Sequence, residues 1–419
     1  MLNILVNAYA VSPNWGSEQG MGWNWVVNIA KYCRVHVITE GEWKEDIEKA
    51  LQHLPQKEHL SFYYLPVSQE IRNMCWNQGD YRFYLYYAQW QERALEKACE
   101  IIAKYQNDKE LNIDLIHQLN MVGFREPGVL WKIKDLPYVW GPFCGSLPVN
   151  LKFVSDMGFT TFAKYAMKNV VNQFQFRYKS RVRAAMKRAA AVITTDAEIA
   201  RQVKRVYGHE ALLIAETGLQ SGCVPVESMQ KRHDGFFNLL WVGRMIKTKK
   251  LDIALKTIAR MKQPQVRLHI VGFGNPEEEQ AYRQLAKDLG VEHQVIWYGK
   301  RENAEVKQLM REMDIFFFTS VLEATSTVVP EAIQNRLPVV CHDICGFGPL
   351  IDDTIGRKIP LRSPEQSVAD FANVLTELYE NRECLAAMTP CFDQVAEKLT
   401  YESKAATMYE LYSRLCKKS

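Results

Sequence analysis

The chain has 419 residues, 47% hydrophobic and 24% charged, which excludes a disordered, collagen-like or low-complexity protein. That length fits two domains of about 200 residues better than one. Lys and Arg number 52 against 48 Asp and Glu, and the net charge of +4 is too balanced for a dedicated nucleic-acid binder.

In chain order, residues 1–11 lack a basic leader and read as a first buried strand over 2–8 rather than a signal peptide. A loop holding Trp15-Gly16-Ser17-Glu18 leads to a helix over 22–32 and a strand over 34–39. Helical pattern fills 82–105 and much of 161–190, while 114–118, 138–140 and 191–195 read as strands. Periodicity is lost across 216–235, the domain boundary. A second series then begins: strands over 237–242, 266–271, 295–298, 315–319 and 338–342 alternate with helices over 251–261, 276–289 and 328–334. From Pro364 onward the pattern is mostly helical.

The predicted division is an N-terminal domain over 1–216, a C-terminal domain over 217–395 and a helical tail over 396–419 that returns to the first domain. Apolar strands alternating with amphipathic helices define an α/β chain of two doubly wound domains. Two such sheets are expected to face a central cleft at their carboxyl ends, where ligands bind. No run approaches the roughly 18 apolar residues of a membrane span. The ten cysteines contain no C-x-x-C pair and sit mostly in apolar runs, which favours a reducing cytoplasm.

The sharpest constellation is Glu323-Ala-Thr-Ser-Thr-Val-Val-Pro-Glu331 after a very apolar strand. Glu331 on a first helical turn suits a vicinal diol such as a ribose, and Glu323 at a loop tip suits a sugar hydroxyl. The backbone N–H groups of Thr325, Ser326, Thr327 and Val328 suit a phosphate. Two acidic residues placed only to complement a helix dipole would give the same pattern. Next comes Gly243-Arg244 with Lys249, between a strand and a helix. There a glycine permits close backbone approach, and Arg244 with Lys249 can clamp a diphosphate or form a plain solvated turn. Gly272-Phe273-Gly274 is a tight βα turn rather than a dinucleotide fingerprint, because Glu277 stands where the third glycine belongs. In the first half, the glycine loop at Gly16 suits a phosphate or sugar or is a simple connection. His117, at the end of a strand, is either functional or structural. No D-x-D and no His/Cys ligand set appears, so no metal is expected.

Together these residues resemble the retaining glycosyltransferases of family four, with the GT-B fold. The likeness lies in Gly243-Arg244 with Lys249, Gly272-x-Gly274, Gly299, and Glu323-x7-Glu331 followed by Pro338-Val339-Val340. It runs from about 236 to 355. The first half is similar more loosely, through Gly16-Ser17-Glu18 and Asp114-Leu-Ile-His117, to a bacterial branch making surface polysaccharides. The resemblance implies a uridine- or guanosine-linked nucleotide-sugar donor, no other cofactor, and a glycan or lipid-linked acceptor. It implies that Glu331 binds the ribose, Arg244 and Lys249 the diphosphate, and Glu323 the sugar, with Gly299-Lys300 flanking the base. Arg244, Lys249, Glu323 and His117 are then the catalytic candidates, and Gly16, Gly243 and residues 325–328 belong with donor binding. The chain departs from the pattern at Ala324-Thr325-Ser326, at Lys250 in place of a glycine, and at Leu119 in place of a second histidine. Other readings are a GT-B phosphorylase or nucleotide-sugar epimerase, or a catalytically silent sugar-binding protein.

Residues 161–190 carry eight basic and no acidic side chains, interleaved with aromatics. That composition suits an anionic membrane surface at the inner face, or two helices packed on the first sheet with their charges in water. Apolar spacing of four within it predicts two helices with a break near 173–176.

Overall fold

A computed structural model describes residues 1–77, 80–108, 110–323 and 326–417, with Asp156 described by its backbone alone. Strands and helices alternate from the start: β1 (Asn3–Ala8), α1 (Ser17–Ile29), β2 (Arg34–Thr39), α2 (Lys44–Leu51), β3 (Leu60–Tyr64), α3 (Gln69–Trp76), α4 (Phe83–Tyr105), β4 (Leu115–Asn120) and β5 (Tyr138–Phe143). Then come α5 (Phe159–Tyr178), α6 (Ser180–Arg188), β6 (Ala191–Thr194), α7 (Ala197–Tyr207) and β7 (Ala211–Leu213). The seven strands form one parallel sheet in the order β3-β2-β1-β4-β5-β6-β7. Every residue of β1, β4 and β5 is buried, as in a parallel sheet covered on both faces, although β4 carries His117, Gln118 and Asn120.

The second series is β8 (Phe237–Val242), α8 (Leu251–Met261), β9 (Val266–Val271), α9 (Pro276–Asp288), β10 (Val295–Gly299), α10 (Asn303–Glu312), β11 (Ile315–Phe318), α11 (Val328–Gln334), β12 (Val339–His342) and β13 (Gly356–Ile359). Four helices follow: α12 (Pro364–Glu380), α13 (Glu383–Met388), α14 (Phe392–Leu399) and α15 (Tyr401–Cys416). The second sheet is parallel in the order β10-β9-β8-β11-β12-β13. Both sheets therefore have the doubly wound order, and strand direction of travel reverses between β1 and β4 in one and between β8 and β11 in the other. Those switch points are where such sheets take ligands.

Two compact units result, Met1–Leu147 with Val171–Gly218 and Tyr401–Ser419, and Pro148–Val170 with Leu219–Thr400. The sequence division differs at 148–170, which count in the second unit. There Asn150 Nδ2 donates to Leu361 O (3.0 Å), and the Phe153 ring meets His342 edge-on (5.9 Å). Helix α14 also belongs to the second unit. Helix α15 belongs to the first, where the buried Lys404 ammonium donates to the carbonyls of Ala215 and Thr217.

Two helix boundaries differ from expectation. Helix α1 starts five residues before the predicted 22, because its glycines are used for packing. A Cβ on Gly22 would overlap the Ala10 carbonyl oxygen, so low helix propensity there is outweighed by tertiary fit. The break in the basic segment falls at Lys179, in extended backbone (φ −62°, ψ 119°), rather than near 173–176.

At the ends of β8, β9 and β10 backbone packs on backbone. Gly243 N donates to Val271 O (3.0 Å) and Gly272 N to Gly299 O (2.9 Å). Gly272 has φ +149°, and a Cβ there would overlap the Gly243 carbonyl. We expect Gly272→Ala to lower stability by about 1–3 kcal/mol through overpacking and strain. Denaturant unfolding checks this, and an unchanged midpoint would count against the close approach.

Candidate functional site

At the switch point of the second sheet, β8 is followed by Gly243 and the exposed Arg244. A single turn over Lys247–Lys249 leads into α8. Lys249 Nζ pairs with Glu323 Oε1 and lies 5.2 Å from the Phe318 ring centroid. Ser320 Oγ donates to the same carboxylate oxygen at 2.5 Å. The two loops are stitched together below this pair. Thr319 Oγ1 donates to Lys249 O (2.9 Å) and accepts from Trp241 Nε1 (3.0 Å), while Val321 N donates to Thr248 O (3.0 Å). The next residue, Lys250, is 1% exposed with φ +51° and ψ +48°. This left-handed conformation favours glycine, so the lysine occupies a glycine's backbone state.

Glu331 sits in the first turn of α11, where Asn303 Nδ2 donates to its Oε1 at 3.2 Å. Burial raises its carboxyl pKa, opposed by the Asn303 bond and the Lys307 charge. Thr327 caps α11 without a side-chain bond, and Val328 opens the helix half-buried. Ser326 is buried, with no partner for its Oγ among the described residues. Thr325 lies outside the described residues. Gly299 accepts the Gly272 N–H, and Lys300 Nζ lies 5.6 Å from the exposed Phe273 ring. The structure thus joins Lys249 directly to Glu323 and sets Gly243 and Gly299 on either side of Gly272.

Sequence reasoning missed Ser320, Thr319, Asn303 and His342. Ser320 and Thr319 end an apolar run, a signal available in the sequence; Asn303 offered none. His342 is buried, with Nδ1–H donating to Ser320 O (3.2 Å) and Nε2 accepting from Ser367 Oγ (2.9 Å). Burial pushes its pKa down to about 4, so the neutral ring holds the Ser320 backbone in place. Among the described residues no group of three or more His, Cys, Asp or Glu side chains is placed to hold a metal ion.

In the first unit, Gly16 is the N-cap of α1. Glu18 Oε1 accepts from Val122 N (2.7 Å), and burial pushes its carboxyl up to about 7, with the Glu216 charge adding to the shift. His117 is not a catalytic group. Its ring is fully buried, Nε2–H donates to Gly141 O (2.6 Å), and Nδ1 accepts from Tyr412 O–H (2.7 Å). Both nitrogens are thus committed to the fold and no solvent-facing atom is left to act. Burial drives its pKa down to about 4.

With this geometry in hand, likeness to known proteins becomes informative. Residues 228–390 match the family described as "Glycosyl transferases group 1". The D-inositol 3-phosphate glycosyltransferase of Corynebacterium kroppenstedtii is 27% identical over 188 residues, 43% of this chain and 41% of that protein. The lipopolysaccharide glucosyltransferase WaaG of Escherichia coli is 30% identical over 118 residues, 27% of this chain and 30% of WaaG. Both matches span less than half of the relative's length. The crystal structure of Anabaena HepE in complex with UDP aligns over 99% of this chain and 100% of its own, with TM-score 0.58 and 17% identity. The fold is therefore that of the GT-B glycosyltransferases, and the second unit carries the group 1 match.

His117 yields a test by pH. The unfolded ring takes its proton near the ordinary value of 6.5, whereas the folded ring takes it at about 4. Between those values the unfolded state binds more protons, so the stability from the neutral ring is complete above about 6.5 and is lost as pH falls towards 4. His117→Asn should destabilise at neutral pH, and its deficit should shrink by about 1.4 kcal/mol per pH unit across that window. Urea unfolding at several pH values checks it; a deficit independent of pH contradicts the buried neutral ring.

Proposed function

We propose that this chain is a glycosyltransferase that moves a sugar from a nucleoside-diphosphate sugar to a glycan or lipid-linked acceptor. The reading adds retention of anomeric configuration, no resident metal ion, and a role in surface polysaccharide synthesis. The observation that carries it is the Lys249–Glu323–Ser320 cluster at the switch point of a sheet within a glycosyl transferase match, with Arg244 exposed in the loop that leads to Lys249. Lys249 and Arg244 take the diphosphate, Glu331 the ribose hydroxyls and Glu323 a hydroxyl of the donor sugar. The anomeric carbon's bond to the diphosphate oxygen breaks as its bond to the acceptor oxygen forms on the same face. The acceptor's proton passes to the departing phosphate oxygen, and the two cations offset the charge that develops there. HepE's structure contains UDP, so UDP-glucose is the first donor to try.

A Glu331→Gln variant should bind UDP about ten- to a hundredfold more weakly, the scale of a charged hydrogen bond of about 1.5–3 kcal/mol. Unchanged affinity in a titration would remove the ribose assignment. Arg244→Ala and Lys249→Ala should lower kcat more than they raise KM, and turnover should persist in EDTA. A pure KM effect would leave the cations with binding alone.

The same reading places the protein against the inner face of a membrane. No helix among the described residues is long and apolar enough to cross one. Along α5 itself Phe159, Met167, Val170, Phe174 and Tyr178 are exposed, interleaved with exposed Lys164, Lys168 and Arg177. An apolar stripe with flanking cations suits an anionic headgroup layer. Two of the eight basic residues are held internally: Arg181 pairs with Glu126, and Arg188 donates to the carbonyls of Ile133, Lys134 and Leu136. Flotation at low salt should show binding to vesicles with anionic lipid, lost on charge reversal of Lys164, Lys168 and Arg177. Binding that survives the reversal, or no binding at all, would end the membrane role.

A further inference from the structure

The carboxyl edge of the first sheet carries three neighbouring indoles. Trp15 precedes the N-cap of α1, Trp43 is the N-cap of α2, and Trp76 is the last residue of α3. Their ring centroids are 5.2 Å apart for Trp15–Trp76, 5.9 Å for Trp43–Trp76 and 6.2 Å for Trp15–Trp43. Trp15 is 51% exposed and Trp76 44%. Burying such rings contributes much of the stability of a core, so three of them at one surface mark a recognition site.

The cluster is built, not loose. Glu40, buried at the end of β2, accepts from Arg72 Nη2 (2.8 Å), Arg72 Nε (3.1 Å) and Val67 N (3.0 Å), which pins α3 and with it Trp76. Trp76 Nε1 donates to Glu42 Oε1 at 3.1 Å, which fixes the tilt of its ring. Glu42 Oε2 has no hydrogen-bond partner among the described residues. The rings touch one another, so a ligand meets their outer faces and does not enter between them.

The chemistry of the surroundings selects the ligand. Glu40 is neutralised by Arg72, which leaves Glu42 as the carboxylate beside the rings, and a carboxylate there disfavours phosphate and anionic headgroups. A neutral pyranose satisfies both features: its C–H face lies on an indole, and its equatorial hydroxyls donate to a carboxylate. We propose that Trp15, Trp43 and Trp76 form a stacking platform for a neutral sugar ring of the acceptor, with Glu42 accepting from its hydroxyls. The proposal rests on the glycosyltransferase reading and assigns the acceptor's chemical class.

The test titrates the full chain with cellobiose, N-acetylglucosamine, tetramethylammonium and, separately, UDP, followed by saturation-transfer NMR. A neutral sugar should bind saturably, and Trp15→Ala should weaken it about tenfold or more. Trp15→Phe should retain most of the binding, Glu42→Gln should weaken it, and UDP affinity should be the same in every variant. Trp15 is exposed, so Trp15→Ala decides the matter even if Trp76→Ala fails to fold. No binding of either neutral sugar, sugar binding indifferent to Trp15 and Glu42, or preference for tetramethylammonium at the indoles would each overturn the platform. If UDP fails to bind, the transferase reading falls on its own, while the sugar titration still decides the platform.

Discussion

Where β9 ends against β8, no side chain fits at Gly272, and that close backbone approach sets the turns of the second unit's candidate site. Gly243, Gly272 and Gly299 are linked through backbone hydrogen bonds, and Met245 N is tied to Phe273 O at 2.8 Å. The side chains that follow, Arg244, Phe273 and Lys300, therefore leave from points set by main chain and not by adaptable packing. Polar groups that must meet a ligand within a few tenths of an ångström gain most from such support. The unfavourable φ of Lys250 belongs to the same economy of space, since it turns the chain sharply from the Lys249 loop into α8.

The Lys249–Glu323 pair imposes a second constraint, this time on what can bind. Its side chains are only 15% and 12% exposed, and taking one partner from a pair buried like this costs about 3–5 kcal/mol when nothing replaces it. A ligand that draws Lys249 away must therefore give Glu323 new donors beyond Ser320, and give Lys249 a new anion. A phosphate alone supplies one half of that exchange and a free sugar the other. A molecule carrying phosphate next to hydroxyls supplies both, as the proposed donor, a sugar joined to a diphosphate, would.

Much of the fold was legible because the central strands are buried on both faces. β11 reads as an unbroken apolar run and β1 and β8 as apolar runs interrupted only by asparagine, and the second sheet's strands other than β13 were placed within a residue of the structure. Three edge strands were not legible: β3, β7 and β13 are short and partly exposed, β3 interrupted by Ser61 and β13 by Arg357 and Lys358. The 148–170 segment carries no change of composition to mark its place in the second unit. Within the site, the spacing of Glu323 and Glu331 was visible, but the pairing of Glu323 with Lys249 spans 74 residues and has no local signal. His117 misled for a related reason. Its position at a strand's carboxyl end is the same whether the ring faces a ligand or Tyr412, and that tyrosine is 295 residues away.

The two units differ in where recognition can reside. In the first sheet the polar side chains at the carboxyl ends are already engaged with one another. Asn7 Nδ2 donates to Gln91 Oε1 (2.8 Å) and Gln118 Oε1 (2.9 Å), Asn120 Nδ2 donates to Ala10 O (2.8 Å), and His117 is held at both nitrogens. The network is not closed, because Asn7 Oδ1 and Gln91 Nε2 are buried without a hydrogen-bond partner among the described residues. What that unit presents outward comes from its loops and helix ends, Trp15, Trp43, Trp76 and Glu42 among them. Loops vary freely while the strands beneath them stay constrained. The match to glycosyl transferases group 1 falls at 228–390, entirely outside this unit, as expected if shared chemistry sits on the second sheet and the choice of acceptor on the first.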